Sequence, residues 1–265
     1  MDEDLLDPAY VSDRLSRPPF VTLPGVVNVR DLGSYPTECP GYITKPGLIY
    51  RSGEVSFITE EGKQRLRDLG ITTVYDLRSD TEMEKYETPI PTIEGVQVPE
   101  AMTQRFELYA SGKIESFMTL YSQILDHAGP SFGVVLRHIR DLPQQGCLFH
   151  CTAGKDRTGV LAALLLKLAG VNDGAIVEDY ALTRIGREPV RPMIMERLAK
   201  MPYFATNSER AMNMLSSRPE TMVAFLQMLR DRYGGVEVYL RNTVGLTDED
   251  VATIRRNLTT PLSRS

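Results

Sequence analysis

The chain has 265 residues, 42% hydrophobic and 25% charged, with a net charge of −5. That is length for one well-buried α/β domain with an appended helical piece, and the acidic balance argues against nucleic-acid partners and general attraction to anionic membranes. Three cysteines without regular spacing make no disulfide framework, and neither the acidic opening MDEDLLDPAY nor any later run has the length of a signal peptide or membrane span, so a soluble, cytoplasmic protein without integral membrane association is expected.

Residues 1–27 are rich in Pro and Asp and read as an extended arm. NVRDLG follows at 28–33, then a Pro- and Gly-rich loop that returns into a short strand, LIYRS. Thr59, Glu60 and Glu61 start a helix with Leu66 and Leu69 on its apolar edge, and Gly70 ends it. ITTVYDL is a β-branched run, read as a central strand whose end presents Asp76 and Arg78 to the crevice where α/β folds bind ligands. Helical spacing of Ile114, Phe117, Leu120, Tyr121, Ile124 and Leu125 predicts a helix over 113–128. A second runs through Val134, Val135, Leu136 and Ile139 toward Pro143.

The chain then reaches GCLF, HCTAGKD and RTG: a buried strand, a turn, and from Arg157 a helix of Ala, Leu and Val that Gly170 closes. Gly154 sits midway between Cys151 and Arg157, where so short a loop needs a permissive backbone. Such a loop aims the N–H groups of Thr152, Ala153, Gly154 and Lys155 at one point, a cradle for an anion, with phosphate, sulfate or vanadate as expected occupants. Helix dipole, amides and Arg157 all favour negative charge on Cys151, so a nucleophilic thiolate is expected. The Arg157 fork matches two phosphoryl oxygens, and Thr158 would set a hydroxyl near the sulfur. The implied reaction is two displacements, first by Cys151 and then by water.

Beyond Gly170, residues 173–185 read as a helix. Pro189, Pro192 and Pro202 interrupt 189–217, where Met193, Met195, Met201, Met212 and Met214 cluster. Helices resume at 219–232, 236–242 and 248–258, the last with Thr247 as cap and Asp250 at the capping-box position.

HCTAGKDRT matches the HCxxGxxR[S/T] loop, and with NVRDLG, GLIYRSGEVS, LGITTVYDLRSDTE and YGGVEVYLRNTVGLT the chain resembles the cysteine-dependent protein tyrosine phosphatases, in their broad-specificity mycobacterial branch. The resemblance implies one phosphatase domain over 1–265: a twisted mixed sheet flanked by helices, a helical C-terminal half, and a helical lid near 185–217. It implies metal-independent hydrolysis of phosphoprotein or phosphoinositide monoesters, without a cofactor. The larger superfamily brings its acid on a Trp-Pro-Asp loop, but this chain has no Trp. The branch points instead to Asp156 as the acid, with a scaffolding role as the other reading and Asp76 as runner-up. Asp76 and Arg78 are otherwise expected to line the pocket. Lys155 would favour substrates with more than one phosphate. Asn28, Arg30 and Asp31 either reach the cradle rim or pin the N-terminal arm, with Asp31 a possible bidentate partner of Arg157. His150 is expected to order the loop through its backbone. Cys147 is a strand residue, or else the thiol that resolves an oxidised Cys151. Sulfur transfer, arsenate reduction and a silent phosphate-binding module stand as minor readings of the same loop.

Overall fold

The sheet is organised around the strand that leads into the loop. In this computed structural model, which describes residues 5–99, 114–199 and 215–262, β1 (Arg30–Asp31), β2 (Tyr42–Thr44), β3 (Ile49–Ser52), β4 (Ile71–Asp76), β5 (Gly146–His150) and β6 (Thr259–Pro261) follow in chain order. Four of them form a mixed sheet in the order β1-β3-β5-β4; β5 runs parallel to both neighbours, and β1 is antiparallel at the edge. β2 and β6 pair apart from it.

A strand with parallel neighbours on both sides is covered on both faces, which explains the unbroken apolar run at 147–149. The two-residue alternation sends Cys147 and Phe149 to one face and Leu148 to the other. The first face packs against α4 (Ile114–His127), α5 (Gly129–Asp141) and α6 (Asp156–Leu168). The second packs against α2 (Glu60–Asp68) through Leu66. α6 is apolar around its whole circumference because it is buried there, as Leu161, Leu164 and Leu165 show.

Several sequence expectations hold. Thr59 caps α2 by accepting from Gly62 N, and a capping box of Thr247 and Asp250 opens the last helix, Asp248–Leu258, after Pro219–Tyr233 and Val236–Asn242. Three places differ. The arm is not all extended: Asp7 caps a helix, α1 (Pro8–Leu15), by accepting from Tyr10 N, and Pro8 opens its first turn. The Asp and Pro taken as signs of extension are this helix's start signal. A further helix, α3 (Asp80–Tyr86), is capped by Ser79 accepting from Glu82 N. It buries no residue, so it leaves no apolar period to read. The helix expected over 173–185 is two, α7 (Asp173–Ala181) and α8 (Thr183–Gly186).

A 3₁₀ turn over Glu188–Val190 and the helix α9 (Arg191–Ala199) follow. Much of the expected lid, with Met201, Pro202, Met212 and Met214, lies outside the described residues. No helix among the described residues is long and apolar enough to cross a membrane.

Candidate active site

Residues 151–155 link β5 to α6 in one tight turn. Gly154 has φ +64, and a β-carbon there would meet Ser52 O and come within 2.7 Å of Gly53 N, so only glycine fits. The loop carbonyls point outward, where side chains hold them. Asn28 Nδ2 donates to Ala153 O at 3.4 Å and to Gly154 O at 3.2 Å, and Arg51 Nη2 donates to Gly154 O at 2.8 Å. With those carbonyls fixed outside, the amides are turned the other way. The amides of Thr152, Ala153, Gly154, Asp156 and Arg157 donate to no described residue. They remain available to an anion, at the positive end of a buried helix.

The wall behind the loop is itself ionic. Asp179, from α7, accepts from Arg30 Nε at 3.0 Å and from Arg51 Nη1 at 2.5 Å; all three side chains are buried. Arg30 also bonds Asn28 Oδ1 and Thr183 Oγ1. Burial alone would raise the Asp179 pKa, but the two guanidiniums outweigh it and hold it below the usual carboxylate range. Burial depresses Arg30 to about 10. Asn28 and Arg30 therefore form the wall through which the N-terminal segment grips the loop.

Cys151 is a free thiol, 3% exposed, at the floor. His150 Nδ1 donates to Cys151 O at 3.3 Å. Burial pushes its imidazole pKa down, against the pull of the Asp76 carboxylate 3.7 Å from Nε2, and the ring orders the backbone. Arg157 is gripped from outside the loop: its Nη1 and Nη2 donate to Glu82 Oε2 and Oε1 at 2.8 and 2.9 Å, and Nη1 also to Leu77 O at 2.9 Å. Thr152 Oγ1 donates to the same carboxylate. Burial works against the Arg157 charge, yet Cys151 and Glu82 outweigh it and raise the pKa. Burial likewise works against the Glu82 carboxylate, and Arg157 reverses the sign and lowers its pKa. The partner is thus Glu82 and not Asp31, whose two oxygens accept from Gly33 N and Gly47 N, each at 2.8 Å, and so tie down the turn after β1. Thr158 is fully buried, and its hydroxyl has no hydrogen-bond partner among the described residues, the sulfur included.

Asp156, at the first turn of α6, accepts from Tyr121 Oη at 2.9 Å, and Tyr121 lies 2.7 Å from Tyr180 Oη. Burial raises both tyrosine pKa values, so both stay protonated and Tyr121 is a fixed donor to the carboxylate. Lys155 is no solvated loop residue. It is 1% exposed, with Nζ 3.5 Å from Asp156 Oδ1, 3.1 Å from Ser216 O and 4.8 Å from the Phe117 ring centroid. Burial lowers its pKa. Asp76 and Arg78 are turned to one another beneath the site, with Arg78 Nη2 2.6 Å from Asp76 Oδ2. Arg78 also reaches Glu54 Oε2 at 2.8 Å and Thr88 Oγ1 at 3.0 Å. Burial disfavours the Asp76 charge, but His150 and Arg78 overcome it and lower the pKa. A carboxyl so held gives up its proton early, which suits a scaffold and not an acid.

Cys147 lies within β5, in register with Ile49 and Thr73. Four residues of near-extended chain set it about 13 Å from Cys151, against the roughly 7 Å that a disulfide spans between Cα atoms. Burial pushes its thiol up to about 12, which keeps it protonated. The resolving role fails on distance.

Sequence reasoning missed Glu82, Arg51, Asp179, Tyr121 and Tyr180 as parts of this site. Glu82 lies four residues past Arg78, in a helix with no apolar signature. Arg51 stands in a strand that is buried at every position, where an arginine demands a buried partner, and that demand was the signal available.

A family model described as "Tyrosine phosphatase family" matches residues 21–260. A tyrosine-protein phosphatase of Nostoc commune is 30% identical over 227 residues, covering 78% of this chain and 73% of its own. The triple specificity protein phosphatase PtpB of Mycobacterium tuberculosis is 27% identical over 272 residues, covering 88% of this chain and 96% of its own. By that match over residues 21–260, and by the Nostoc commune relative, the chain belongs to the tyrosine phosphatase family.

Proposed function

We propose that the chain hydrolyses phosphomonoesters through a phosphocysteine intermediate, with phosphotyrosine in proteins as the main substrate and phosphoserine or phosphothreonine also accepted. The observation that carries this reading is the loop whose carbonyls Asn28 and Arg51 hold outward, so that amides and Arg157 surround Cys151. In the first step the Cys151 sulfur attacks phosphorus, the ester P–O bond breaks, and Asp156 hands its proton to the departing oxygen. In the second, water attacks phosphorus, Asp156 takes a proton from it, and the S–P bond breaks to return the thiolate. The amides and Arg157 meet the charge on the equatorial oxygens in both steps. The donor bond from Tyr121 keeps Asp156 at the loop rim.

The relatives' names support a tyrosine phosphatase, and the word "triple" in one of them suits broad substrate acceptance. The reading takes the family match over residues 21–260 as one catalytic domain. The test is phosphate release without added metal from phosphotyrosine and phosphoserine peptides. Cys151→Ser abolishes turnover. Asp156→Asn lowers it by about 10²–10⁴-fold, the range for a lost general acid, and by less on an aryl phosphate with a good leaving group. Undiminished turnover in Cys151→Ser would refute the mechanism. An Asp156→Asn loss equal on good and poor leaving groups would remove Asp156 as the acid.

A further inference from the structure

The two carboxylate oxygens of Asp156 have different surroundings. Oδ1 accepts from Tyr121 Oη at 2.9 Å and has Lys155 Nζ 3.5 Å away. Oδ2 takes a hydrogen bond from no described residue. Arg157, from the same helical turn, and Arg187, at the end of α8, act on the carboxylate through their charge.

The asymmetry is built by two other helices. Tyr121 comes from α4 and Tyr180 from α7, with their hydroxyl oxygens 2.7 Å apart. Both side chains are buried, and among the described residues their hydroxyls bond only one another and Asp156. The rings of Phe117 and Phe225 pack edge-on against Tyr121, with centroids 6.0 and 5.8 Å away. Tyr180 reaches the first turn of α6 because residue 159 is glycine: a β-carbon there would lie 3.1 Å from Cδ2 of the ring. Counting protons then fixes the direction of the chain. Each hydroxyl has one proton to give. Tyr180 can give its own only to Tyr121, and Tyr121 then gives its own to Oδ1. The reverse direction would strand the Tyr180 proton in apolar surroundings. A proton on Oδ1 would meet the Tyr121 proton head-on.

We infer that Tyr180 and Tyr121 are positioning residues for the acid: they pin Asp156 Oδ1 as an acceptor, so that Oδ2 carries the proton handed to the leaving group. The inference rests on the proposed role of Asp156 and says which of its oxygens acts. Tyr180 contributes through Tyr121, because a hydroxyl that accepts a hydrogen bond is a stronger donor in its turn. Oδ2, left without a donor, is free to face the ester oxygen.

The experiment compares parent, Asp156→Asn, Tyr121→Phe, Tyr180→Phe and the double Phe variant. It follows kcat/KM against pH on phenyl phosphate, a poor leaving group, and 4-nitrophenyl phosphate, a good one. Each Phe change removes one oxygen and keeps the ring. A carboxylate that loses a donor holds its proton to higher pH, so in Tyr121→Phe the alkaline limb on phenyl phosphate moves up by about one to two units. Tyr180→Phe moves it the same way by about 0.1–0.6 unit, the share of roughly 10–30% that one bond in a chain adds to the next. The double variant, which strands no hydroxyl, matches Tyr121→Phe. Asp156→Asn removes the limb. Below the limb, Tyr121→Phe loses more on phenyl phosphate than on 4-nitrophenyl phosphate, because its proton is no longer confined to Oδ2, while vanadate affinity is unchanged. A second arm needs no turnover: in Cys151→Ser, the Asp156 carboxyl carbon, assigned by its absence in Asp156→Asn, titrates at higher pH by NMR once Tyr121→Phe is added. An unmoved limb in Tyr121→Phe and in the double variant, or equal losses on both substrates, overturns the inference even where Asp156→Asn confirms the acid. If the carboxyl carbon shifts but hydrolysis ignores Asp156→Asn, the acid role fails and the pinning of Oδ1 stands.

Discussion

Replacing Glu82 by glutamine tests how the phosphate clamp is aimed. Arg157 is held by two bonds to Glu82, at 2.8 and 2.9 Å, and one to Leu77 O at 2.9 Å. Glutamine keeps one acceptor and turns an NH₂ toward a guanidinium, so one bond is lost and the other loses its charge. Both side chains are about a fifth exposed, 20% for Glu82 and 18% for Arg157, so water screens part of the effect. Two charge-assisted bonds of about 1.5–3 kcal/mol each, half retained and partly screened, leave a loss of about 2 kcal/mol, or roughly thirtyfold at 1.4 kcal/mol per decade. The loss should fall on kcat, because aim matters most as charge builds in the transition state. KM should stay level or fall, because the carboxylate that competes with the phosphate is gone. Steady-state kinetics on a phosphotyrosine peptide, with inhibition by vanadate, read both quantities. A raised KM at constant kcat, or changes within twofold throughout, would show that Glu82 does not aim the clamp. The pH dependence has a definite sign. Glu82 is held below its ordinary 4.5, so its contribution to stability is complete above that pH and disappears as pH falls through the lower folded value. The stability gap between parent and Glu82→Gln should therefore narrow on acidification.

Three further changes probe the frame. Gly154→Ala forces a side chain into left-handed backbone, at about 1–2 kcal/mol, and onto Ser52 and Gly53; a drop in melting temperature with at least about a tenfold loss of kcat/KM is expected, and parental values for both would overturn it. Asp179→Asn strands two buried guanidiniums and should cost about 3–5 kcal/mol in urea unfolding, the range for breaking a buried pair. Asp179 is likewise held below its ordinary 3.8, so that stabilisation is present above pH 3.8 and is lost below it as the folded pKa is passed. After peroxide and thiol treatment, Cys147→Ser should recover activity to the parental extent, and mass spectrometry of the oxidised parent should find no Cys147–Cys151 bridge.

Much of the site was legible because its residues are contiguous. Cys151, Gly154 and Arg157 lie within seven positions whose spacing already implies a cradle, and the β-branched run at 71–76 and the capping box at Thr247 have purely local signatures. The partners that set the cradle were not legible, because each comes from elsewhere in the chain. Glu82 arrives on a helix with no buried face, and Asp179 on one whose acid looks like any solvated carboxylate. The Asp31 expectation failed for the same reason: from sequence an acid near an arginine motif is a plausible partner, and only the turn geometry shows Gly33 and Gly47 taking both oxygens. Asp7 and Pro8 were misread because a short helix buries a single residue, Val11, and shows no period.

The triad of Arg30, Asp179 and Arg51 also bears on the order of synthesis. Two of its members precede the nucleophile and one follows it by 28 positions, so a growing chain carries the complete signature HCTAGKDRT before the counter-ion for its supporting wall exists. Until Asp179 arrives, Arg30 and Arg51 cannot leave water without an uncompensated charge, and the carbonyls of the loop have no fixed anchor. By that reasoning Cys151 should gain its reactivity only after Asp179 has been made. A fragment ending between Arg157 and Asp179 should have the motif, bind vanadate poorly, and react with iodoacetamide no faster than an ordinary thiol.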